Sequence, residues 1–247
     1  SEGKRLEIDA PESPNLQSLN LKESETLITI TGSDFKLTFD KTTGTISEWL
    51  YGETAVIQSG PSLNIWRAPT DNDGFKKDPN REFTVLNEWL KAGFDNMSVQ
   101  ETAVTNINQP NPYTITIQVE SLIGSPQQPE AFTHKQTLTI SADGSVTIAN
   151  DVEPDPSLPI LPRVGLTMSL PAGFEQMTWF GRGPHENYSD RNAGAAVGRY
   201  STTVTDDYVP YIMPQEYGNK TAVRWISLQN EQGIGLLASA QPLMEAS

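Results

Sequence analysis

The segment KQTLTISADGSVTIAND, Lys135 to Asp151, alternates apolar with polar side chains on both sides of the dipeptide Asp143-Gly144. Alternation of period two marks a half-buried strand, and an Asp-Gly pair between two such runs suits the tight turn of a hairpin. The segment therefore predicts a β-hairpin, and the same pattern spreads along the chain. TLITITG (Thr26 to Gly32) and FKLTFD (Phe35 to Asp40) alternate, and DKTTG (Asp40 to Gly44) turns the latter into TISEWL (Thr45 to Leu50). YTITIQVES (Tyr113 to Ser121), RVGLTMSLP (Arg163 to Pro171), AVRWISLQ (Ala222 to Gln229) and IGLLASA (Ile234 to Ala240) continue the set, with NEQG turning between the last two. Short strands at hairpin spacing predict an all-β fold of antiparallel sheets packed as a sandwich.

One segment has another period. In REFTVLNEWLKAG (Arg81 to Gly93), Phe83, Leu86, Trp89 and Leu90 share a helical face and Gly93 is placed to end the helix, so a short helical decoration is expected. At the front, EIDAPESPNLQSLNLKESE (Glu7 to Glu25) is polar and carries two prolines. Residues 1–20 are read as a linker or lead-in from a preceding domain and 21–247 as one β domain. The chain opens Ser1-Glu2-Gly3 and stops at LLASAQPLMEAS, soon after an apolar strand, so a piece of a longer polypeptide, truncated within its last domain, is expected.

The 247 residues carry a formal charge of −14 and no cysteine. An acidic field repels phosphate backbones and anionic membrane surfaces, so neither is an expected partner. Apolar runs such as Ile234 to Ala238 are too short to span a bilayer. Without cysteines there are no disulfides or thiolate metal sites, and the compartment, bacterial cytoplasm or periplasm, stays open.

Three polar-aromatic clusters interrupt the strands: WRAPTDNDGF (Trp66 to Phe75), WFGRGPHENYSDR (Trp179 to Arg191) and PYIMPQEYGNKTAVRW (Pro210 to Trp225). The mixture suits a sugar, because an aromatic face stacks on the ring while carboxylates, amides and guanidinium groups take its hydroxyls. Candidate contacts are Trp66, Arg67, Asp71, Asn72, Asp73, His185, Glu186, Asn187, Gln215, Glu216, Arg224 and Trp225, and the three clusters are expected to line one cleft. Asp71, Asn72 and Asp73 lack the spacing of a calcium loop and read first as a turn held by side chains on backbone amides. Glu186 and Asp190 each have an arginine nearby in sequence, which favours ion pairs over a general acid. His134 and His185 show no metal-ligand spacing, and His134 reads as a solvent-facing strand residue. A second role for the middle cluster is a structural lock: Arg182 or Arg191 on Glu186 or Asp190, with Gly181, Gly183 and Pro184 forcing a bend beside Tyr188, and His185 and Asn187 at the exposed edge.

In this order and spacing, WRAPTDND, GRGPHENYSDR and PYIMPQEYGNKTAVRW resemble the C-terminal small-chain domain of glycoside hydrolase family 2 β-galactosidases. The resemblance implies a β supersandwich of the galactose-mutarotase-like kind, last in a multidomain enzyme. It places the catalytic glutamates and magnesium in an upstream (β/α)8 barrel. No catalytic residue and no cofactor is then expected in this chain. Its expected partners are upstream domains, a galactoside, and further copies of the full-length enzyme. Tyr217 departs from the small or amide residue that many relatives carry there, and by analogy backbone carbonyls near Met213-Pro214 are a weak cation site. The competing readings are a stand-alone aldose mutarotase, casting His185 and Glu216 as acid and base, and a carbohydrate-binding module.

Overall fold

A computed structural model describes residues 16–74 and 84–247. Six strands come first: β1 (Asn20–Glu23), β2 (Leu27–Thr31), β3 (Phe35–Asp40), β4 (Thr45–Tyr51), β5 (Thr54–Ile57) and β6 (Ser59–Asn64). Helix α1 (Val85–Ala92) follows, then β7 (Ser98–Asn111), β8 (Thr114–Gly124), β9 (Phe132–Ser141) and β10 (Val146–Pro154). The last five are β11 (Gly165–Ser169), β12 (Gln176–Gly183), β13 (Ala196–Thr203), β14 (Lys220–Gln229) and β15 (Gly235–Ala246). Among the described residues they form three antiparallel sheets: β1-β2-β3-β4-β6-β11 with β5 beside β4, β10-β9-β8-β7, and β13-β12-β14-β15.

The predicted hairpin is β9–β10. Its turn is held by the Gly144 N–H on the Ser141 carbonyl at 2.9 Å, and by Asp143, whose carboxylate accepts from the Ser145 N–H at 2.9 Å and its hydroxyl at 2.7 Å. The inward residues of β9, Leu138 and Ile140, meet Ile115, Ile117 and Val119 of β8. Across the layer lie Ile28, Ile30, Leu37 and Phe39 of β2 and β3. Each fully buried aliphatic side chain contributes about 1.5–3 kcal/mol, so this layer between the first two sheets dominates the core. β1 starts at Asn20, the last residue of the stretch read as a lead-in: it pairs with β2, and Leu19 just before it is buried in the same core.

His134 is a correction. It is 6% exposed, on the buried face of β9, with Nε2 at 3.0 Å from Asn150 Oδ1. The parity set by Leu138 and Ile140 continues through Gln136 to His134, and Asn150 also receives the Gln136 amide at 3.0 Å. Polar letters hid the inward face.

Helix α1 starts at Thr84, whose hydroxyl accepts the Asn87 N–H at 3.2 Å, and ends at Gly93 with φ of 73°. Trp89 and Leu86 pack with Phe94, Ile123 and Phe132 in a second core, whereas Leu90 is 42% exposed. At about 100° per residue the packed stripe runs through Leu86, Trp89 and Ala92, and Leu90 falls off it. Phe83 lies outside the described residues.

Gly181 and Gly183, expected with Pro184 to force a bend, instead lie in strand: they form the end of β12, an inner strand of the third sheet. Trp179 is 1% exposed and packs with Met177 and Val223, with Tyr200 beside it at 5.5 Å between ring centres. The glycines serve close approach. A Cβ on Gly183 would meet the Tyr200 ring at 2.6 Å and Trp179 at 2.9 Å, and one on Gly181 would meet the Val223 backbone at 2.9 Å. Gly183→Ala is therefore expected to lower stability by roughly 1–3 kcal/mol through overpacking, measured by denaturant unfolding. Wild-type stability in that variant would show that the rings move aside freely.

Candidate functional site

Three loops leave the sheets at one end and are tied together by polar contacts. The first, after β6, begins at Asn64. Its amide oxygen accepts the Trp66 N–H at 3.1 Å and its NH2 donates to the Trp66 carbonyl at 2.9 Å, which fixes the tryptophan backbone. The Trp66 ring stands edge-on to Trp89 at 6.2 Å between centres, and the Arg67 guanidinium lies over the same Trp89 at 5.0 Å. Arg67 donates both terminal nitrogens to Asp73, at 2.7 and 2.9 Å, and Asp73 also accepts the Thr70 N–H at 2.7 Å. Burial works to raise the Asp73 carboxyl, but Arg67 and Thr70 outweigh it and hold it below the ordinary value. Asp73 is thus a turn lock, while Asp71 and Asn72 are exposed.

The middle cluster holds one of the expected pairs, Arg191 on Glu186, and adds further donors to it. Arg191 Nη2 lies 2.9 Å from Glu186 Oε1, and Glu186 further accepts the Tyr211 hydroxyl and the Gly218 N–H, the latter at 2.8 Å. Burial works to raise the Glu186 carboxyl, and these donors overcome it, leaving it below its ordinary value. Arg182 holds no carboxylate; it donates to the carbonyls of Asn192 and Ala195, at 3.2 and 2.8 Å. Asp190 is exposed, as are Pro184 and His185. Asn187, expected at the exposed edge, is 1% exposed. Its NH2 donates to the Arg182 and His185 carbonyls, and its oxygen accepts the Thr221 N–H at 3.0 Å and hydroxyl at 2.6 Å. The Tyr188 ring lies under Arg191 at 4.5 Å; its buried hydroxyl has no hydrogen-bond partner among the described residues. Burial, then the charges of Glu186 and Glu216, push Tyr188 up to about 12.

The third loop, between β13 and β14, is pinned at both ends. Lys220, 1% exposed, donates to both Asp207 oxygens, at 2.7 and 3.0 Å, and to the Gly218 carbonyl at 2.8 Å, and lies 5.2 Å from the centre of the Trp179 ring. Glu216 reaches across to the first loop, accepting the Ala68 N–H at 3.1 Å, and is ion-paired with Arg163.

That bridge closes one side of an open cavity of about 410 Å³, lined by Trp66, Arg67, Arg163, Gln215, Glu216 and Tyr217 among others. The first and third clusters therefore meet. The middle cluster supports the third from behind and supplies none of the cavity-lining residues. Arg224 and Trp225 lie elsewhere, on β14, with Trp225 in a separate depression. His185 and Glu216 do not share the cavity. Among the described side chains lining it, Glu216 is the one carboxylate, while direct glycoside hydrolysis uses two carboxyl groups flanking the bond. The cavity's charged groups are committed to internal partners, and its uncharged lining includes Trp66, Gln215 and Tyr217. Sequence reading missed Asn64, Arg163 and Tyr211. A carboxylate in a loop calls for a cation, but the spacing of 53 residues between Arg163 and Glu216 gives no local signal.

Comparison with known proteins gives one consistent picture. The family described as beta galactosidase small chain matches residues 31–247. A β-galactosidase of Priestia megaterium is 35% identical over 228 residues, which cover 92% of this chain and 21% of that protein. β-Galactosidases of Psychromonas ingrahamii and Vibrio cholerae are each 34% identical, over 83% and 77% of this chain and 20% and 18% of theirs. The chain thus spans about a fifth of the length of these curated relatives.

Two outcomes test the lock. Asn187→Ala strands buried partners on two segments and is expected to cost about 2–4 kcal/mol in denaturant unfolding, far more than His185→Ala. Glu186, with its folded value lowered, contributes stability that is present above 4.5 and is lost as pH falls through that lower value. The gap in melting temperature between wild type and Glu186→Gln should therefore be largest at neutral pH and narrow in acid; a gap that widens would refute the lock.

Proposed function

Because the chain belongs to the β-galactosidase small-chain family, we propose that it is an accessory C-terminal lobe of a β-galactosidase. In this reading it shapes the sugar-facing mouth of an active site whose bond-breaking groups, and any magnesium, sit on upstream domains of the same polypeptide. The observation that carries the reading is the meeting of the first and third clusters through Ala68 and Glu216, which brings Trp66 and Gln215 into the lining of one open cavity. An aromatic face with a neutral amide suits a pyranose ring. The rigid ion pairs around them suit a surface that positions a ligand without reacting with it. The match to about a fifth of longer β-galactosidases supports a multidomain parent, and the full-length oligomer belongs to the same proposal.

The purified chain should leave a chromogenic β-galactoside intact over hours, followed by absorbance of the released phenol. Turnover abolished by changing one of its own carboxylates would overturn the reading. In the full-length parent, Trp66→Ala should raise KM for the galactoside roughly five- to tenfold with kcat little changed, the signature of lost uniform binding. An unchanged KM would remove Trp66 from the mouth.

A further inference from the structure

The outer face of the third sheet carries a second constellation, separate from the cavity above. Strand pairing sets Phe180 of β12 directly between Arg199 of β13 and Trp225 of β14. Phe180 is 37% exposed and Trp225 half-buried. Arg199 lies 6.0 Å from the centre of the Trp225 ring, and Arg224 lies 5.3 Å from that of Phe180. The backbone is irregular here. The register of β14 against β15 shifts between Val223 and Trp225, and Ala222 has φ of 52°, a left-handed conformation that residues other than glycine rarely adopt. Arg224 donates to the Ala222 carbonyl at 2.5 Å. Such irregularities re-aim side chains, and this one lets the consecutive residues Arg224 and Trp225 each reach an aromatic–guanidinium stack beside Phe180.

The arginines here are also used differently. Arg67, Arg163 and Arg191 hold carboxylates, and Arg182 is held by two carbonyls. Arg199 instead lies over a ring at the rim of a depression of about 260 Å³, whose lining includes Trp225, Thr178, Ser227, Gln229 and Leu237. The depression shares no lining residue with the first cavity. It combines an indole, a planar guanidinium, an amide and two hydroxyl residues in a space small enough for one ring. Planar forked donors suit vicinal hydroxyls, and the indole suits the apolar face of a pyranose. The net charge of −14 disfavours anions.

We propose that this depression is a second carbohydrate subsite, binding one neutral pyranose stacked on Trp225 with Arg199 and Gln229 on its hydroxyls. It does not depend on the accessory role argued above. The test titrates the purified chain with methyl β-galactoside and methyl β-glucoside, and with galacturonate as the anionic arm. Binding is read by saturation-transfer NMR and tryptophan fluorescence. Saturable millimolar binding of a neutral glycoside is expected. Trp225→Ala and Arg199→Ala should each weaken it roughly tenfold or more, with Tyr113→Ala, an exposed aromatic outside both cavities, leaving it unchanged. If Trp225→Ala melts lower than wild type, Arg199→Ala decides. Absence of saturable neutral-glycoside binding, binding confined to the uronate, binding that survives both variants, or binding lost in Tyr113→Ala would each overturn the proposal. So would self-association of the chain that Trp225→Ala abolishes, which would make the face a contact between copies.

Discussion

One buried amide holds the functional end of this protein together. Asn187 stands where the chain leaves β12, and its side chain both donates, to the carbonyls of Arg182 and His185, and accepts, from the N–H and hydroxyl of Thr221 at the start of β14. Its own backbone exchanges bonds with Asn219: its N–H reaches the Asn219 carbonyl at 2.7 Å and its carbonyl takes the Asn219 amide at 3.0 Å. An aspartate could not donate and a leucine could do neither, so the site requires a neutral group with both capacities. Once these segments are fixed, Glu186 lies within reach of Tyr211 and Gly218, the third loop is set, and Glu216 meets Ala68.

Charge is spent inward at this end of an acidic molecule. The cations Arg67, Arg163, Arg191 and Lys220 each hold a carboxylate, three of them within their own loop and Arg163 across to Glu216 of the third. Lys220 is the extreme case, a buried ammonium with three acceptors and an aromatic ring beneath it. Removing one member of such a pair leaves the other desolvated and unmatched, so the loops behave as a cross-braced frame and not as independent flaps. A braced frame suits a surface that presents neutral groups, an indole, an amide and a phenol, at fixed spacing.

What the sequence disclosed follows from how local each signal is. The β9–β10 turn, the Asp40–Gly44 turn and the Gly93 end of α1 are settled by residues within a few positions of one another, and all were legible. The direction of His134 was legible in principle from the parity of Leu138 and Ile140, but its polarity argued the other way. The strand from Trp179 to Gly183 was not legible. Two glycines look like breakers until the Tyr200 ring and the Val223 backbone, far along the chain, are seen to occupy the space of their missing side chains. Of the three clusters expected to line one cleft, the first and third meet and the middle one stays out of their cavity. Residue types alone could not say that Arg182 serves carbonyls, that Asn187 is buried, or that Trp225 faces away from Trp66.

The rims of the sheets have a bearing on how the molecule behaves in concentrated solution. β7 borders the second sheet and carries Pro110, and β15 borders the third and carries Pro242. A strand at a rim offers unpaired amides to any neighbour, and a proline removes one of them and spoils the match. Long ribbons that would otherwise template fibrils are in this way blunted. Prolines placed so keep the exposed margins of one copy from zipping onto those of another.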